Sequence, residues 1–349
     1  VLVKANTESL RFQKVNDGKH FGQFQGILDV EVLFQHEDGI VKNRKRLKDT
    51  VYFKSYEQTL SKSIYVESFA EVILARNKYT IEVKFDTKDN TFLNTQKHDE
   101  DFSKIPKLYS PLLFNTNRED VFTELQPFIL DKVISFDTQG AKIIIPSQTL
   151  EDGNYTYKLI KQKNTIESPL KWDEKNEIEG IADKILSVDF TFNNTNDNVT
   201  FDLQRNSSYS ALSFNLPGVK VIPGVYKLIV YKNNEEMQNF EIIIDWVNQP
   251  LSLNKLDYAI DMLKYIATKT EIDSILSADD KSAAFLSYWK AKDPTPNTPF
   301  NEAIQQYYSR VDYAFFNYKT ISESDGANTD RGKVYILKAA PQEVKEEYK

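Results

Sequence analysis

The sequence predicts a mainly β protein with a helical C-terminal part: two tandem Ig-like β-sandwich modules, then a small helix-rich α+β module. Three observations carry this prediction. Apolar and polar residues alternate through most of residues 1–248. Clusters of turn-forming residues interrupt the alternation at short intervals. After Pro250 the apolar period changes from two to that of a helix. The predicted ranges are 1–115 for the first sandwich, 116–130 for a connector, 131–248 for the second sandwich and 249–349 for the helical module.

In the first module the strand-like stretches are 9–15, 23–35, 51–56, 64–74 and 78–86. Tyr79, Ile81, Val83 and Phe85 form one apolar face with polar residues between them. Such alternation gives one buried and one wet face, as in an antiparallel sheet. Turn chemistry at His36-Glu37-Asp38-Gly39 and at 86–90 separates the strands. The stretch 98–101, a histidine and three acidic residues, is read as a solvated loop rather than a cation site.

The second module repeats the pattern over 142–146, 155–161, 185–192, 199–204, 211–216, 225–231 and 240–246. Short strands at this spacing suggest a sandwich. Pro223-Gly224-Val225-Tyr226 reads as a turn feeding a late strand, and 75–83 is its looser counterpart in the first module. That parallel suggests two related modules. The Asn-rich stretch 193–198 reads as a turn, since no EF-hand spacing accompanies it.

Beyond Pro250, Leu256, Ile260 and Leu263 repeat at helical spacing, with Asn254 as the expected N-cap. A second helix is predicted over 279–290. A third is predicted to open at Thr298-Pro299 and to carry Ile304, Tyr308, Val311 and Phe315 on one face. Tyr307, Tyr308, Tyr313 and Tyr318 are too many for one buried stripe, so some must face a partner or another module. The loop 325–332 is predicted to deliver a short strand over 333–337.

Composition narrows the chemistry. The 349 residues suffice for two or three cores. A net charge of −7 and a chain read as lacking a basic block argue against nucleic acid or an anionic membrane surface as partner. With no cysteine, thiol catalysis, disulfides and Cys-ligated metals are excluded. His20, His36 and His98 are widely separated, and no phosphate loop, nucleophile elbow or zinc-protease motif occurs. The expectation is a protein without cofactor, metal or catalytic residues, and so not an enzyme. No apolar run spans a bilayer. The strand-like opening Val1-Leu2-Val3-Lys4, without an initiator Met, reads as a mature or trimmed chain.

Several separated islands occur in order near the C-terminus: Trp289, Asp293-Pro294-Thr295-Pro296, Thr298-Pro299, Asn301-Glu302, Tyr308, Arg310-Val311, Tyr313-Ala314, then Thr329-Asp330-Arg331-Gly332-Lys333-Val334-Tyr335-Ile336. On these residues the stretch from about 250 onward resembles the GWxTD-domain family. The family's signature Trp is replaced by Ala327 in Gly326-Ala327-Asn328-Thr329-Asp330, and its later turn reads Ala339-Ala340-Pro341. The resemblance implies export and a place in the cell envelope of a Bacteroidota-like bacterium, often behind a lipoprotein-type signal. It implies no reaction.

The function expected is a non-catalytic scaffold or accessory subunit of an outer-membrane-associated assembly, with a carbohydrate- or peptide-binding protein as the alternative. Localisation is expected to be extracytoplasmic, at the outer membrane, in the periplasm or on the cell surface, with a lipid anchor upstream. Candidate signature or interaction residues are Trp289, Asp293, Asp330, Arg331, Gly332 and Tyr335. Asp330 is expected to hold a turn, and Arg331 to meet a carboxylate, a helix C-terminus or a partner. Thr50, in Asp49-Thr50-Val51, is a candidate O-glycosylation site.

Overall fold

The structure, a computed structural model, describes residues 1–54, 56–59, 65–85, 94–116, 122–128, 132–164, 170, 172, 175–195 and 198–339. It is 44% strand and 23% helix, with the helices gathered towards the C-terminus. In chain order the first strands are β1 (Leu2–Asn6), β2 (Phe12–Lys14), β3 (Phe24–His36), β4 (Val41–Phe53), β5 (Tyr65–Phe69), β6 (Lys78–Phe85), β7 (Asn94–Asp101), β8 (Leu112–Asn115) and β9 (Gln126–Pro127). There follow β10 (Val133–Ser135), β11 (Gly140–Ser147), β12 (Tyr155–Lys163), β13 (Glu177–Ile181), β14 (Asp183–Thr195), β15 (Asn198–Pro217), β16 (Gly224–Lys232) and β17 (Glu235–Asp245). The helices are α1 (Tyr56–Thr59), α2 (Leu256–Met262), α3 (Lys269–Leu276), α4 (Lys281–Lys290), α5 (Glu302–Asn317) and α6 (Asp330–Lys338).

Two compact units are formed. The first holds Val1–Asp131, Ile143–Gly153 and Ala182–Phe214; the second holds Lys132–Lys142, Asn154–Ile181 and Asn215–Lys349. The strands of 131–248 are thus dealt out between the units, a grouping that four consecutive ranges do not describe. The stretch read as a connector contributes β9, and Leu125 beside it exchanges backbone hydrogen bonds with Phe201.

In the first unit β3 is the central strand. It pairs with β4 on one side and, on the other, with β2 near its start and β6 near its end. Alternation along β3 sends Leu28, Val30, Val32 and Phe34 inward, where they meet Val3, Ala5 and Val66 of the β1–β5 pair. The opposite face is charged. Asp29 takes two hydrogen bonds from Arg46 at 2.8 and 2.9 Å, Glu31 faces Arg44 at 3.2 Å, and Glu82 accepts from Gln35 at 3.0 Å. This is the one-wet-face sheet that the period-two pattern implies. The stretch 98–101 lies in β7 and not in a loop, because its main chain completes a ladder against β6. Backbone pairing overrides the poor strand propensity of its acidic residues. Basic residues are also concentrated, contrary to the reading from net charge: Lys42, Arg44, Lys45, Arg46 and Lys48 all lie on β4. A further sheet runs β14-β15-β11-β8-β9 and is packed around Phe114, Ile144, Val188 and Phe201.

The second unit is built on the sheet β10-β17-β16-β12-β13. Tyr226 of β16 is fully buried, and its hydroxyl donates to the Ile222 carbonyl at 2.9 Å. In the first unit Tyr79 of β6 donates to the carbonyl of Ala75, also four residues upstream, at 3.0 Å. These are the two stretches the sequence pairs as counterparts. A tyrosine bonded back to upstream main chain is a recurrent sandwich device.

Helix α5 joins the other helices to this sheet. Asn301 caps it, accepting from the Ala303 and Ile304 amides. Its inner stripe is Ile304, Tyr307, Tyr308, Val311 and Ala314. Tyr307 and Tyr308 donate to the Met262 and Ala259 carbonyls of α2 at 2.5 and 2.6 Å. Gln305 accepts from the Trp246 indole at 2.8 Å, at the end of β17, and donates to the Asn248 carbonyl. Phe300, just before the helix, meets Phe136 and Trp246 edge-on.

Three helix boundaries differ from expectation. Asn254 lies in a 3-10 turn and accepts from Gln249, so it does not cap α2. The third predicted helix starts at Glu302, because Thr298 spends its hydroxyl on the Thr295 and Phe300 carbonyls. Helix α3 was given no bounds in the sequence, although Thr268 and Glu271 form a full capping box at its start.

Burial disfavours phenolate, so the buried tyrosines stay protonated to high pH: Tyr226 is pushed up to about 12, and Tyr307 and Tyr308 are raised further. In the unfolded chain they ionise near their ordinary value of about 10. Their contribution to stability is therefore complete below that pH and is lost as the pH rises beyond it. In a spectrophotometric titration Tyr226, Tyr307 and Tyr308 should ionise only as the circular-dichroism signal collapses. A single smooth titration of all tyrosines with the fold intact would contradict this burial.

Candidate functional site

The signature segment begins at a 3-10 turn, Gly326–Asn328, capped by Asp325. One Asp325 oxygen accepts from the Ala327 amide at 2.8 Å. The other accepts from the Tyr258 hydroxyl at 3.0 Å and from the Asn328 amide group at 3.1 Å. The Tyr258 phenol is raised, first by burial and then by its bond to the Asp325 carboxylate.

Helix α6 follows at once. Thr329 is its N-cap: the hydroxyl accepts from the Gly332 amide at 3.0 Å and donates to the Gly326 carbonyl at 2.8 Å. The two glycines are in backbone contact. A Cβ on Gly332 would stand 2.0 Å from the Gly326 carbonyl oxygen, and one on Gly326 would stand 2.2 Å from that of Ala314 in α5. Neither position has space for a side chain. The segment is thus pressed onto α5 by main-chain contact that only glycine permits.

This corrects the strand expected at 333–337. Val334, Tyr335 and Ile336 favour a strand by type, but the Thr329 cap and the packing on α5 impose a helix. Val334 and Ile336 therefore do not share a face: Val334 is 60% exposed and Ile336 is buried. Asp330 does not hold the turn. It is exposed in the first turn of α6, where a negative charge suits the helix dipole, and Thr329 and Asp325 make the capping bonds.

The remaining sequence candidates divide into two groups. Trp289, at the end of α4, is buried against Tyr288, Tyr307 and Tyr308, and its carbonyl accepts from the Asn301 side chain at 2.8 Å. Asp293 accepts from the Thr295 amide, and the Thr295 hydroxyl donates to Glu302. These island residues form the clamp between α4 and α5. Ala327, at the position of the family's Trp, is fully buried, and its carbonyl accepts from Tyr265 at 2.8 Å. Gly332 belongs with them as a packing residue.

Arg331 and Tyr335 lie at the margin of the α6 packing face, in an aromatic cluster that the sequence did not assemble. The Arg331 guanidinium stands 5.2 Å from the Tyr318 ring centroid. Tyr335 stacks on Tyr313 at 4.5 Å and meets Tyr318 edge-on at 5.5 Å. Arg310 reaches from α5 to the Ile336 carbonyl at 3.4 Å. Tyr313, Phe316, Val334 and Leu337 are exposed around it. The crowded tyrosines of α5 are thus sorted: Tyr307 and Tyr308 into the core, Tyr313 and Tyr318 outward. The spacing of Tyr313 and Tyr318 was visible in the sequence. Their meeting with Tyr335 was hidden by reading α6 as a strand.

Thr50 is exposed on β4, opposite Ile27. The three histidines lie on separate elements. His20 stacks on Tyr52, His36 ends β3 and His98 lies in β7. Among the described residues no group of three or more His, Asp or Glu could hold a metal ion. Among them also, no helix is long and apolar enough to cross a membrane.

The fold and this segment define a β-rich chain ending in a helical module built around a glycine-packed turn. Residues 224–349 match the family model of the GWxTD domain. The match begins at β16 and so takes in the β16–β17 hairpin, ahead of the boundary expected at 249. No curated protein matches the chain. Among solved structures it is similar to the crystal structure of red sea bream transglutaminase, at 9% identity with a TM-score of 0.16. That likeness covers 68% of this chain and only 31% of the transglutaminase, and it carries no argument about fold or activity.

Replacing either glycine should be costly. Gly326→Ala and Gly332→Ala are each expected to destabilise the second unit by at least about 2 kcal/mol through overpacking. Thr329→Ala should cost about 1 kcal/mol as a lost cap. Asp330→Ala should stay within about 0.5 kcal/mol, as for an exposed residue. Urea unfolding of the four variants measures the order. An Asp330 variant as unstable as the glycine variants would contradict the assignment.

Proposed function

We propose that the chain is a non-catalytic scaffold or accessory subunit of an outer-membrane-associated assembly in the envelope of a Bacteroidota-like bacterium. The observation that supports this reading is the cluster of exposed Tyr313 and Arg331 with half-buried Tyr318 and Tyr335, at the C-terminal end of α5 and on α6. Tyrosine and arginine are the residue types that most often anchor protein interfaces. Here they are surrounded by exposed apolar side chains, Phe316, Val334 and Leu337, which water solvates poorly. The buried residues Trp289, Ala327 and Gly332 hold the cluster in place from beneath.

The envelope part of the proposal rests on the resemblance to the GWxTD family, which also suggests an extracytoplasmic location and a lipid anchor. A tagged full chain, purified from detergent-solubilised membranes of its native host, should bring intact membrane-protein partners with it. The double variant Arg331→Ala/Tyr335→Ala should lose them while keeping the wild-type circular-dichroism spectrum, with a lower melting temperature from the lost Tyr313 stack. Recovery of only the free monomer, under conditions that preserve other envelope complexes, would overturn the proposal.

A further inference from the structure

The sheet around β3 has two margins of opposite charge. At one, residues 42–48 of β4 carry Lys42, Arg44, Lys45, Arg46 and Lys48 and no acidic residue. At the other, β7 ends in Asp99, Glu100 and Asp101. Among the described residues, β4 has a ladder only with β3, and β7 only with β6. Each strand therefore keeps one row of main-chain donors and acceptors outside the ladders, the feature that invites strand addition.

Side-chain pairing within the sheet leaves much of this charge unspent. Arg44 and Arg46 face Glu31 and Asp29 on the wet face, whereas Lys42, Lys45 and Lys48 are exposed. On β7, residues 95–101 are exposed on both faces of the strand, including His98 and Glu100, which share the core-side face with Ile81 and Tyr79. This strand continues the sheet past its own core.

Edge lysines ordinarily keep strands apart by like-charge repulsion. That logic forbids β4 against β4 and β7 against β7. It favours the remaining combination. We propose that copies of this chain associate edge to edge, β4 of one copy adding to β7 of the next, with Lys45 and Lys48 facing Asp99 and Glu100. The eight residues of β7 span about 27 Å of ladder at the usual rise per residue. Because the two surfaces differ, the contact is heterologous and repeats from copy to copy.

Sedimentation velocity of the full chain tests this. At about 20 mM salt the wild type should show concentration-dependent association. This should weaken strongly at about 1 M salt, where the screening length falls to roughly 3 Å. Lys45→Glu/Lys48→Glu sets two carboxylates against Asp99 and Glu100 and cuts the charge of residues 42–48 from five positive to a net of one, and Asp99→Lys/Glu100→Lys makes both margins basic. Each variant alone should associate at least about tenfold more weakly, from like-charge juxtaposition. An equimolar mixture of the two should associate again, since each then offers the other a complementary margin. The milder Lys45→Gln and Glu100→Gln variants should weaken association in smaller steps, with unchanged circular dichroism. The proposal is overturned by a wild type that stays monomeric at low salt, by reversed variants that still self-associate, or by a mixture that does not.

Discussion

The contact of α5 with α2 and β17 is the constraint from which the C-terminal half of the second unit follows. A helix of 16 residues that places two adjacent tyrosines inward must satisfy two buried hydroxyls. It does so on the Met262 and Ala259 carbonyls, near the C-terminal end of α2, where carbonyls lack intrahelical partners. The same helix satisfies Trp246 through Gln305 and caps the 3-10 turn after Pro250 through Asp312, which accepts from the Leu251 and Ser252 amides. Burial raises the Asp312 carboxyl above the usual range, and those donated hydrogen bonds oppose the shift. Each polar group on the inner side of α5 thus selects the place of another element.

The signature segment then has little choice of position. Gly326 must approach the Ala314 carbonyl, and Gly332 must approach Gly326. Both requirements are met only when α6 lies against α5 in one orientation. That orientation brings Tyr335 over Tyr313, and Arg331 over Tyr318. The sequence pattern therefore encodes two things in alternation. Gly332 and Ile336 close the module against α5, and Arg331 and Tyr335 at the margin of the same contact compose an aromatic surface. Ala327 belongs to the closing set, enclosed beneath the Tyr265 bond, so the replaced Trp leaves the turn itself intact.

Much of this was legible in the sequence where one period dominates a long stretch. The alternation in β3, β6, β12 and β16 and the stripe of α5 are examples, and so is the β-to-helix change after Pro250. Tyr79 and Tyr226, in the two stretches that the sequence reads as counterparts, each donate to a carbonyl four residues upstream. What failed depends on partners distant in sequence. Residues 98–101 look like a loop until β6 supplies a ladder, and 333–337 look like a strand until α5 supplies a surface. The bounds of helix α3 were missed although its Thr268-x-x-Glu271 cap is local, because only Ile275 of the helix is buried. The division of 131–248 between two units has no local signal at all. The turn at 86–90, residues 117–121 and 129–130 of the expected connector, and the end of the family pattern at Ala340-Pro341 lie outside the described residues.

Native-state hydrogen exchange, resolved by residue, tests the role of α5 most directly. Contiguous packing makes helices and sheet one cooperative opening unit. The amides of α2, α5 and the first turn of α6 should then exchange with the same opening free energy as those of β16 and β17. Gln305→Ala, which cuts the bond to Trp246, should lower that shared value across all of these elements together. Helices that open at a distinctly lower free energy than the hairpin, with Gln305→Ala affecting only its neighbours, would contradict the account.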